Sequence, residues 1–273
     1  MTTTVGAKPP PIRHRMNLCN LPAWAVASAS FNREPRPLHI AGVRESNRRL
    51  FDTLDSIERP GDRAKVFHDY LCVKFALHHW KEFTGNSRSS LRNSYLRFLN
   101  GWGMDSNGIE GAVLKSWVQS RFGVAPMYHR GVLLDEGSGD EDTRYAHDRM
   151  RGRSRTNAID SQLDLIFEFC QYEQKRRSPG TETLTLFRGT NDPEEHFVRK
   201  VEAKRRSIVR LNNLVSFTAD RERAWEFGST VWKTTVAIAK VVFFSSLLGG
   251  SVLCGEAEYL VIGGDYEVEE LLF

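Results

Sequence analysis

A change of pattern near Gly180 constrains the fold of this chain more than any other feature of its sequence. Before Gly180 the apolar residues recur every three or four positions, as in amphipathic helices, whereas after it they form short β-branched and aromatic runs. Helices followed by strands are typical of α+β proteins rather than of alternating βαβ units. We therefore predict an α+β fold in which a helical N-terminal half packs on a mostly antiparallel β-sheet.

The same pattern divides the 273 residues into three regions. The proline-rich residues 1–44 are predicted to form an irregular arm, residues 45–180 a helical region and residues 181–273 a strand-rich core. Because a chain of this length suffices for one large domain, we expect the three regions to form one compact unit.

Apolar spacing and end signals predict the helices. They are residues 45–57, a segment capped by Asp62 that extends to Trp80, a segment that contains Tyr95 and Phe98, residues 109–122, and a segment capped by Thr156 or Asn157 that ends before Pro179. A glycine-rich break is expected at residues 101–103.

Short apolar runs predict the strands. They are residues 183–187, 214–220, 231–239, 240–244, 252–262 and 266–272. We interpret Gly263–Asp265 as a tight hairpin turn between the last two strands. Asp220 is expected to cap a short helix over residues 221–227.

Charge and hydropathy exclude several classes of protein. The chain has 38 basic and 34 acidic residues, a net charge of +4. This charge suits binding of an acidic partner or a phosphorylated ligand, but it is lower than expected for a protein that coats nucleic acid. The mean hydropathy of -0.42 and the lack of a long uncharged apolar run argue against a membrane span. An apolar stretch near residues 21–29 resembles a secretory signal, but Asn17, Asn20 and Pro22 interrupt it, so we predict a cytoplasmic protein.

Common cofactor motifs are missing from the sequence. It contains neither G-x-x-x-x-G-K-[ST] nor G-x-G-x-x-G between a strand and a helix, which argues against a kinase, a GTPase or a classical dehydrogenase. The four cysteines lie far apart without a Cys-x-x-Cys pair, so neither a disulfide framework nor a zinc site is predicted. No metal is expected.

An arginine ends an otherwise apolar strand at Arg188 and is followed by Gly189 and Thr190. The planar guanidinium can bind two phosphate oxygens at once, which a lysine cannot do. Alone, the feature is equally typical of an exposed strand end.

Two hydroxyl residues, Ser216 and Thr218, flank Phe217 in a later strand. Residues two apart on a strand share a face, so both hydroxyls are expected on one side. The alternative is an ordinary strand that leads into a capped helix.

Two carboxylates, Glu256 and Glu258, also lie two residues apart in a strand otherwise suited to burial. Both project to one face, which is costly without a ligand or a cation, and their titrations are expected to be coupled. The pair therefore indicates a site, and an exposed edge strand is the alternative.

In this order, Arg188, Ser216 and the Glu256–Glu258 pair resemble the Arg–Ser–Glu class of mono-ADP-ribosyltransferases, whose Glu-x-Glu form is associated with arginine acceptors. With its helical first half, the whole chain is similar to the branch of that class that modifies dinitrogenase reductase. It departs from the class at Phe217, where Ser-Thr-Ser is usual.

The resemblance implies an ADP-ribosyltransferase core in the strand-rich region, NAD as donor of ADP-ribose, and a surface arginine of dinitrogenase reductase as acceptor. That protein is the homodimeric Fe protein of nitrogenase. The resemblance implies that its modification inactivates nitrogenase reversibly. A PII signalling protein is implied as regulator. Neither a nucleic-acid partner nor a membrane span is expected for this chain. The alternatives are another arginine target, an NAD glycohydrolase, or a regulatory or nucleic-acid-binding protein that uses its basic segment.

The resemblance also implies residue roles. Glu258 would stabilise the oxocarbenium-like transition state, Ser216 would orient Glu258, and Glu256 would position and deprotonate the acceptor. The residues implied to bind NAD are Arg188, Gly189, Thr190, Ser216, Phe217, Thr218 and Phe227. Of the aromatic candidates for nicotinamide, Phe217, Trp225 and Phe227, at least two are expected to be core residues.

Recognition of protein partners is expected outside the strand-rich core, because the core handles chemistry common to many targets. An acidic loop at 135–142 precedes a basic segment, both expected to be solvated and mobile, and the basic segment is expected to attract an acidic partner. Its residues are Arg144, Arg149, Arg151, Arg153 and Arg155.

Overall fold

Helices fill the first half of the protein, and an antiparallel sheet fills the second, so the predicted α+β class is confirmed. The structure is a computed structural model. It describes residues 17–77, 94–130, 132–134, 139–154, 158–201, 205–249 and 258–271.

Nine α-helices lie within the described residues. They are α1 (Ala23–Val26), α2 (Val43–Ser46), α3 (Arg48–Asp55), α4 (Pro60–Lys74), α5 (Tyr95–Met104), α6 (Ile109–Phe122), α7 (Gly139–Arg153), α8 (Ile159–Arg177) and α9 (Arg221–Ala224). The predicted cap at Asp62 is wrong, because α4 begins at Pro60, whose missing N–H costs nothing in the first turn. The predicted end of that helix at Trp80 lies outside the described residues.

Helix α5 passes through the glycines at 101–103, so the predicted break there is wrong. Trp102 is only 5% exposed and belongs to the hydrophobic core. Its packing outweighs the low helix propensity of its two glycine neighbours. The helix ends instead at Asp105, whose backbone is extended.

The basic segment lies largely in helix α7. Its predicted mobility stays a prediction. Arg153 is tied to Asp160 at 2.9 Å, and the Arg149 guanidinium lies over the Tyr145 ring. Arg144 and Arg151 are exposed, and Arg155 lies outside the described residues.

Eight strands are described, and six of them form one antiparallel sheet. They are β1 (Tyr128–His129), β2 (Val132–Leu133), β3 (Thr183–Thr190), β4 (Phe197–Lys200), β5 (Arg206–Thr218), β6 (Thr230–Ala237), β7 (Val241–Phe244) and β8 (Glu258–Leu271). The sheet order is β4-β5-β3-β6-β8-β7, and β5 also pairs with β8. Strands β3, β6, β8 and β5 therefore close into a ring.

Strand β8 continues through Gly263–Asp265, so the predicted hairpin turn is wrong. Gly264 has φ +110°, and a Cβ there would lie 2.5 Å from the Ala27 carbonyl oxygen. The Asp265 amide donates to that same oxygen at 2.8 Å. The glycine thus allows the N-terminal segment to approach the backbone of a continuous strand closely. It lies next to an irregularity in the β5–β8 register.

One hydrophobic cluster joins the N-terminal segment, the helices and the sheet, with members such as Val26, Phe67, Trp117, Phe167 and Val261. The division of the chain into an arm, a helical region and a core stays a prediction. Within the described residues, no helix has both the length and the apolar character needed to cross a membrane.

Replacing Gly264 with alanine is expected to lower the free energy of unfolding by about 3 kcal/mol, because the side chain would meet Ala27 in a backbone conformation that L-residues rarely adopt. Gly249 also has positive φ, but a Cβ added there would meet no atom within 4 Å, so Gly249→Ala is expected to cost about 1 kcal/mol. Urea unfolding of both variants measures the difference, and equal losses would contradict the role of the close approach.

Candidate active site

The three motif strands meet at one end of the ring. Thr218 of β5 pairs both with Phe187 of β3 and with Glu258 of β8. Arg188 Nη1 donates to the Ser216 carbonyl oxygen at 2.8 Å, and Ser216 Oγ donates to Glu258 Oε1 at 2.7 Å. Residues separated by 28 and 42 positions in the chain are therefore in direct contact.

A cavity of about 640 Å³ opens at this end of the sheet. Arg188, Ser216 and Glu258 all line it. The helical half supplies another part of the wall, namely Trp102, Gly103, Met104, Asp105, Ser106 and Lys115. Sequence reasoning did not predict that contribution.

Trp102 in α5 connects the helical half to the motif residues. Its Nε1 lies 2.9 Å from Ser216 Oγ. Because an indole N–H can only donate, Ser216 accepts from Trp102 and directs its own hydrogen to Glu258. This fixes the serine hydroxyl in the orientation that supports a carboxylate.

The Glu258 carboxyl lies in a partly buried environment, and loss of hydration raises its pKa above the ordinary value. The Ser216 hydrogen bond and the charge of Arg223 oppose the rise, because both favour the ionised form. The Ser216 hydrogen bond and the charge of Arg223 thus stabilise the ionised form of Glu258, which makes no ion pair at contact distance among the described residues.

Arg188 presents a guanidinium that is not fully satisfied. Its Nε is sealed from solvent and has no hydrogen-bond partner within the described residues. Burial lowers the pKa of Arg188, as expected for a cation that lacks a nearby carboxylate. A guanidinium that lines a cavity and has no carboxylate partner among the described residues suits a phosphate group.

The comparisons with known proteins agree with this geometry. A family model described as dinitrogenase reductase ADP-ribosyltransferase (DRAT) matches residues 16–270. The NAD(+)--dinitrogen-reductase ADP-D-ribosyltransferase of Rhodospirillum rubrum is 43% identical over 270 residues, which cover 97% of this chain and 98% of that protein. No solved structure matches.

The chain belongs to the DRAT family. The resemblance found in the sequence is confirmed, and so is the prediction that the chain is an ADP-ribosyltransferase. The roles of its individual residues stay predictions.

In this DRAT family member, Gly189 lines the cavity where β3 meets α9. A Cβ on Gly189 would lie 2.1 Å from the Ala224 carbonyl oxygen, so a larger residue would push the two elements apart. Thr218 lines the cavity as well, and its Oγ1 accepts from the Asp220 amide. Thr190 pairs with Thr230 at the end of β3, next to the cavity wall.

The aromatic candidates differ in burial. Phe217 is 2% exposed and packs against Tyr266, although it also contributes to the cavity wall. Trp225 is half-buried, and Phe227 is 62% exposed at the cavity. The expectation that at least two of them are core residues is wrong, because only Phe217 of the three is buried.

Glu256 lies outside the described residues, so its predicted position beside Glu258 stays a prediction. In the part of the chain that the structure describes, no group of three or more His, Cys, Asp and Glu side chains is arranged to hold a metal ion.

Lys115 is a second cation that sequence reasoning missed. It lines the cavity, is only 1% exposed, and donates to Asn107 Oδ1 at 3.1 Å. Burial lowers its pKa to about 8, and the charge of Asp105 limits the fall. A single lysine in an amphipathic helix gives no sequence signal, since such lysines usually face solvent.

Arg188→Lys is expected to raise the KM for NAD about 10-fold or more, because a lysine cannot make the bidentate, charge-assisted contact. Initial rates at varied NAD concentration measure it. Arg199→Lys, on the exposed edge strand β4, provides the matched control with an unchanged KM. An unchanged KM in Arg188→Lys would mean that another residue holds the dinucleotide.

Ser216→Ala is expected to lower kcat about 10-fold and to move the acid limb of the kcat–pH profile to higher pH. The direction follows because the role predicted for Glu258 requires its ionised form, and the Ser216 hydrogen bond lowers the pKa of that carboxyl. Ser207→Ala, at the far end of β5, should keep the wild-type profile. A limb that stays in place or moves to lower pH in Ser216→Ala would contradict the assignment.

Proposed function

We propose that this protein transfers ADP-ribose from NAD to a surface arginine of dinitrogenase reductase and thereby inactivates nitrogenase reversibly. The observation that carries the proposal is the convergence of Arg188, Ser216 and Glu258 on one cavity. Membership of the DRAT family supports the choice of donor and of protein substrate.

Glu258 provides the negative charge that the reaction requires. NAD supplies an ADP-ribosyl group whose release from nicotinamide passes through an oxocarbenium-like transition state, as in glycoside cleavage. A fixed carboxylate stabilises such a developing cation best when it needs no reorganisation. The chain from Trp102 through Ser216 to Glu258 Oε1 provides that fixed orientation.

Arg188 provides the positive charge at the other part of the cavity. Arg188 lines the cavity and has no carboxylate partner among the described residues, which suits a phosphate of the donor. Gly189, Thr190, Phe217, Thr218 and Phe227 complete the proposed NAD-binding set. We assign Phe227 to the nicotinamide ring, because it is the exposed aromatic at the cavity.

Glu256 is the proposed acceptor base. A guanidinium remains protonated at neutral pH, so a carboxylate must position it and take its proton as the new C–N bond forms. Strand alternation supports placing Glu256 on the same face as Glu258.

Regulation and location form the finer part of the proposal. We include a PII signalling protein as regulator, because the resemblance to the family implies one. We include the cytoplasm as the site of action, because Asn17, Asn20 and Pro22 interrupt the signal-like stretch. The exposed arginines of α7, Arg144 and Arg151, suit contact with an acidic partner surface.

The test uses labelled NAD and purified dinitrogenase reductase. The wild-type protein is expected to label the reductase. Glu258→Gln should lose both transfer and NAD hydrolysis by about 10³-fold, since the transition-state charge is no longer stabilised. Glu256→Gln should lose arginine transfer while keeping some NAD cleavage.

Glu270→Gln is the matched control, because Glu270 is exposed at the opposite end of the same strand. Free ADP-ribose without labelled protein from the wild type would indicate an NAD glycohydrolase instead. Transfer at the wild-type rate by Glu258→Gln would remove that residue from the mechanism.

A further inference from the structure

An exposed apolar side chain lies at the edge of the catalytic cavity without an evident structural role. Among the described residues the exposed large apolar side chains are Leu18, Trp24, Val73, Met104, Met150, Phe197 and Phe227. Two of them, Met104 and Phe227, line the cavity that contains Glu258. Met104 is the more exposed, at 83%.

The segment that carries Met104 is firmly held. Trp102, two residues earlier, is buried and bonded to Ser216. After Met104, Asp105 Oδ1 accepts from the Asn107 amide at 2.8 Å, and buried Lys115 donates to Asn107 Oδ1. The exposure of Met104 is therefore fixed by the fold. Together with Phe227 it places two exposed apolar side chains at one cavity, and clustered exposed apolar surface is typical of an interaction site.

The charges on the two sides of the cavity differ. Exposed Asp105 adjoins Met104 on the α5 side, where buried Lys115 lies beneath it. The α9 part of the wall contains Arg223, whose charge acts on Glu258, while Arg221 and the acidic Glu222 of the same helix do not line the cavity. An anionic dinucleotide is favoured near α9, whereas a cationic acceptor is favoured at the exposed carboxylate of Asp105.

We propose that the edge formed by Met104 and Asp105, here called the α5 edge, is the docking surface for the protein substrate. This inference rests on the proposed function, because the acceptor arginine must reach the cavity at Glu258. The occupant is a folded protein with an exposed arginine flanked by apolar surface. Asp105 attracts the guanidinium side, and the adaptable thioether of Met104 packs on the apolar surroundings.

The proposal separates protein acceptors from small ones. A small guanidinium compound such as agmatine lacks the apolar surroundings that would pack on Met104, whereas a folded protein brings them to the α5 edge. Met104→Ser is therefore expected to raise the KM for dinitrogenase reductase about 10-fold. Because Met104 also lines the cavity, the readout is the ratio of the KM for the reductase to the KM for agmatine, which is expected to rise about 10-fold.

Met150→Ser is the matched control. Met150 is also highly exposed, at 67%, but lies in α7 and is not part of the cavity wall. It should leave the KM for both acceptors unchanged. Asp105→Asn keeps the Oδ1 acceptor of the turn while removing the charge. It is expected to raise the KM for dinitrogenase reductase and to make this KM less sensitive to salt concentration.

Each result of this experiment decides the proposal. A wild-type KM for the reductase in Met104→Ser overturns the docking surface and leaves the proposed function intact. Equal losses with agmatine and the reductase also overturn it, because Met104 would then act on the chemistry. If the wild-type protein modifies agmatine but not the reductase, the proposed protein substrate itself is wrong.

Discussion

The hydrogen bond from Trp102 to Ser216 is the interaction on which the arrangement of the site depends. It joins a helix of the first half to a strand of the second, and it determines which way the serine hydroxyl points. Without this donor the hydroxyl is free to turn toward other acceptors, and Glu258 loses the support that favours its ionised form. The helical half thus helps to shape the candidate active site.

Buried positive charge is the second constraint on the site. Arg188 and Lys115 both line the cavity, and burial lowers the pKa of each. The charge of Asp105 offsets part of this cost for Lys115, whereas no carboxylate acts on Arg188 among the described residues. In the proposed complex, a phosphate of the donor would relieve the cost at Arg188.

The spacing of apolar residues predicts the architecture. The residues that the sheet contributes to the site can be predicted because polar groups are unusual in strands suited to burial. A charged group at the end of an apolar strand and a serine between apolar neighbours both stand out, and Arg188, Ser216 and Glu258 do meet. Trp102 and Lys115 do not stand out, since tryptophan and lysine are ordinary helix residues whose importance comes only from tertiary contacts. The glycines were predicted wrongly because local sequence does not distinguish a turn from other uses of glycine. Gly264 allows a close backbone approach within a continuous strand. The glycines at 101 and 103 lie inside helix α5.

The contact between Ala27 and strand β8 connects the amino-terminal segment to the catalytic end of the sheet. The strand that begins at Glu258 is anchored seven positions later, where the Asp265 amide donates to the Ala27 carbonyl oxygen. An expression variant trimmed to begin beyond Ala27 leaves that amide without its acceptor and uncovers the backbone of Gly264. Shortening this end for crystallisation thus removes a support of the strand that carries Glu258, although the trimmed residues are not among those that line the cavity.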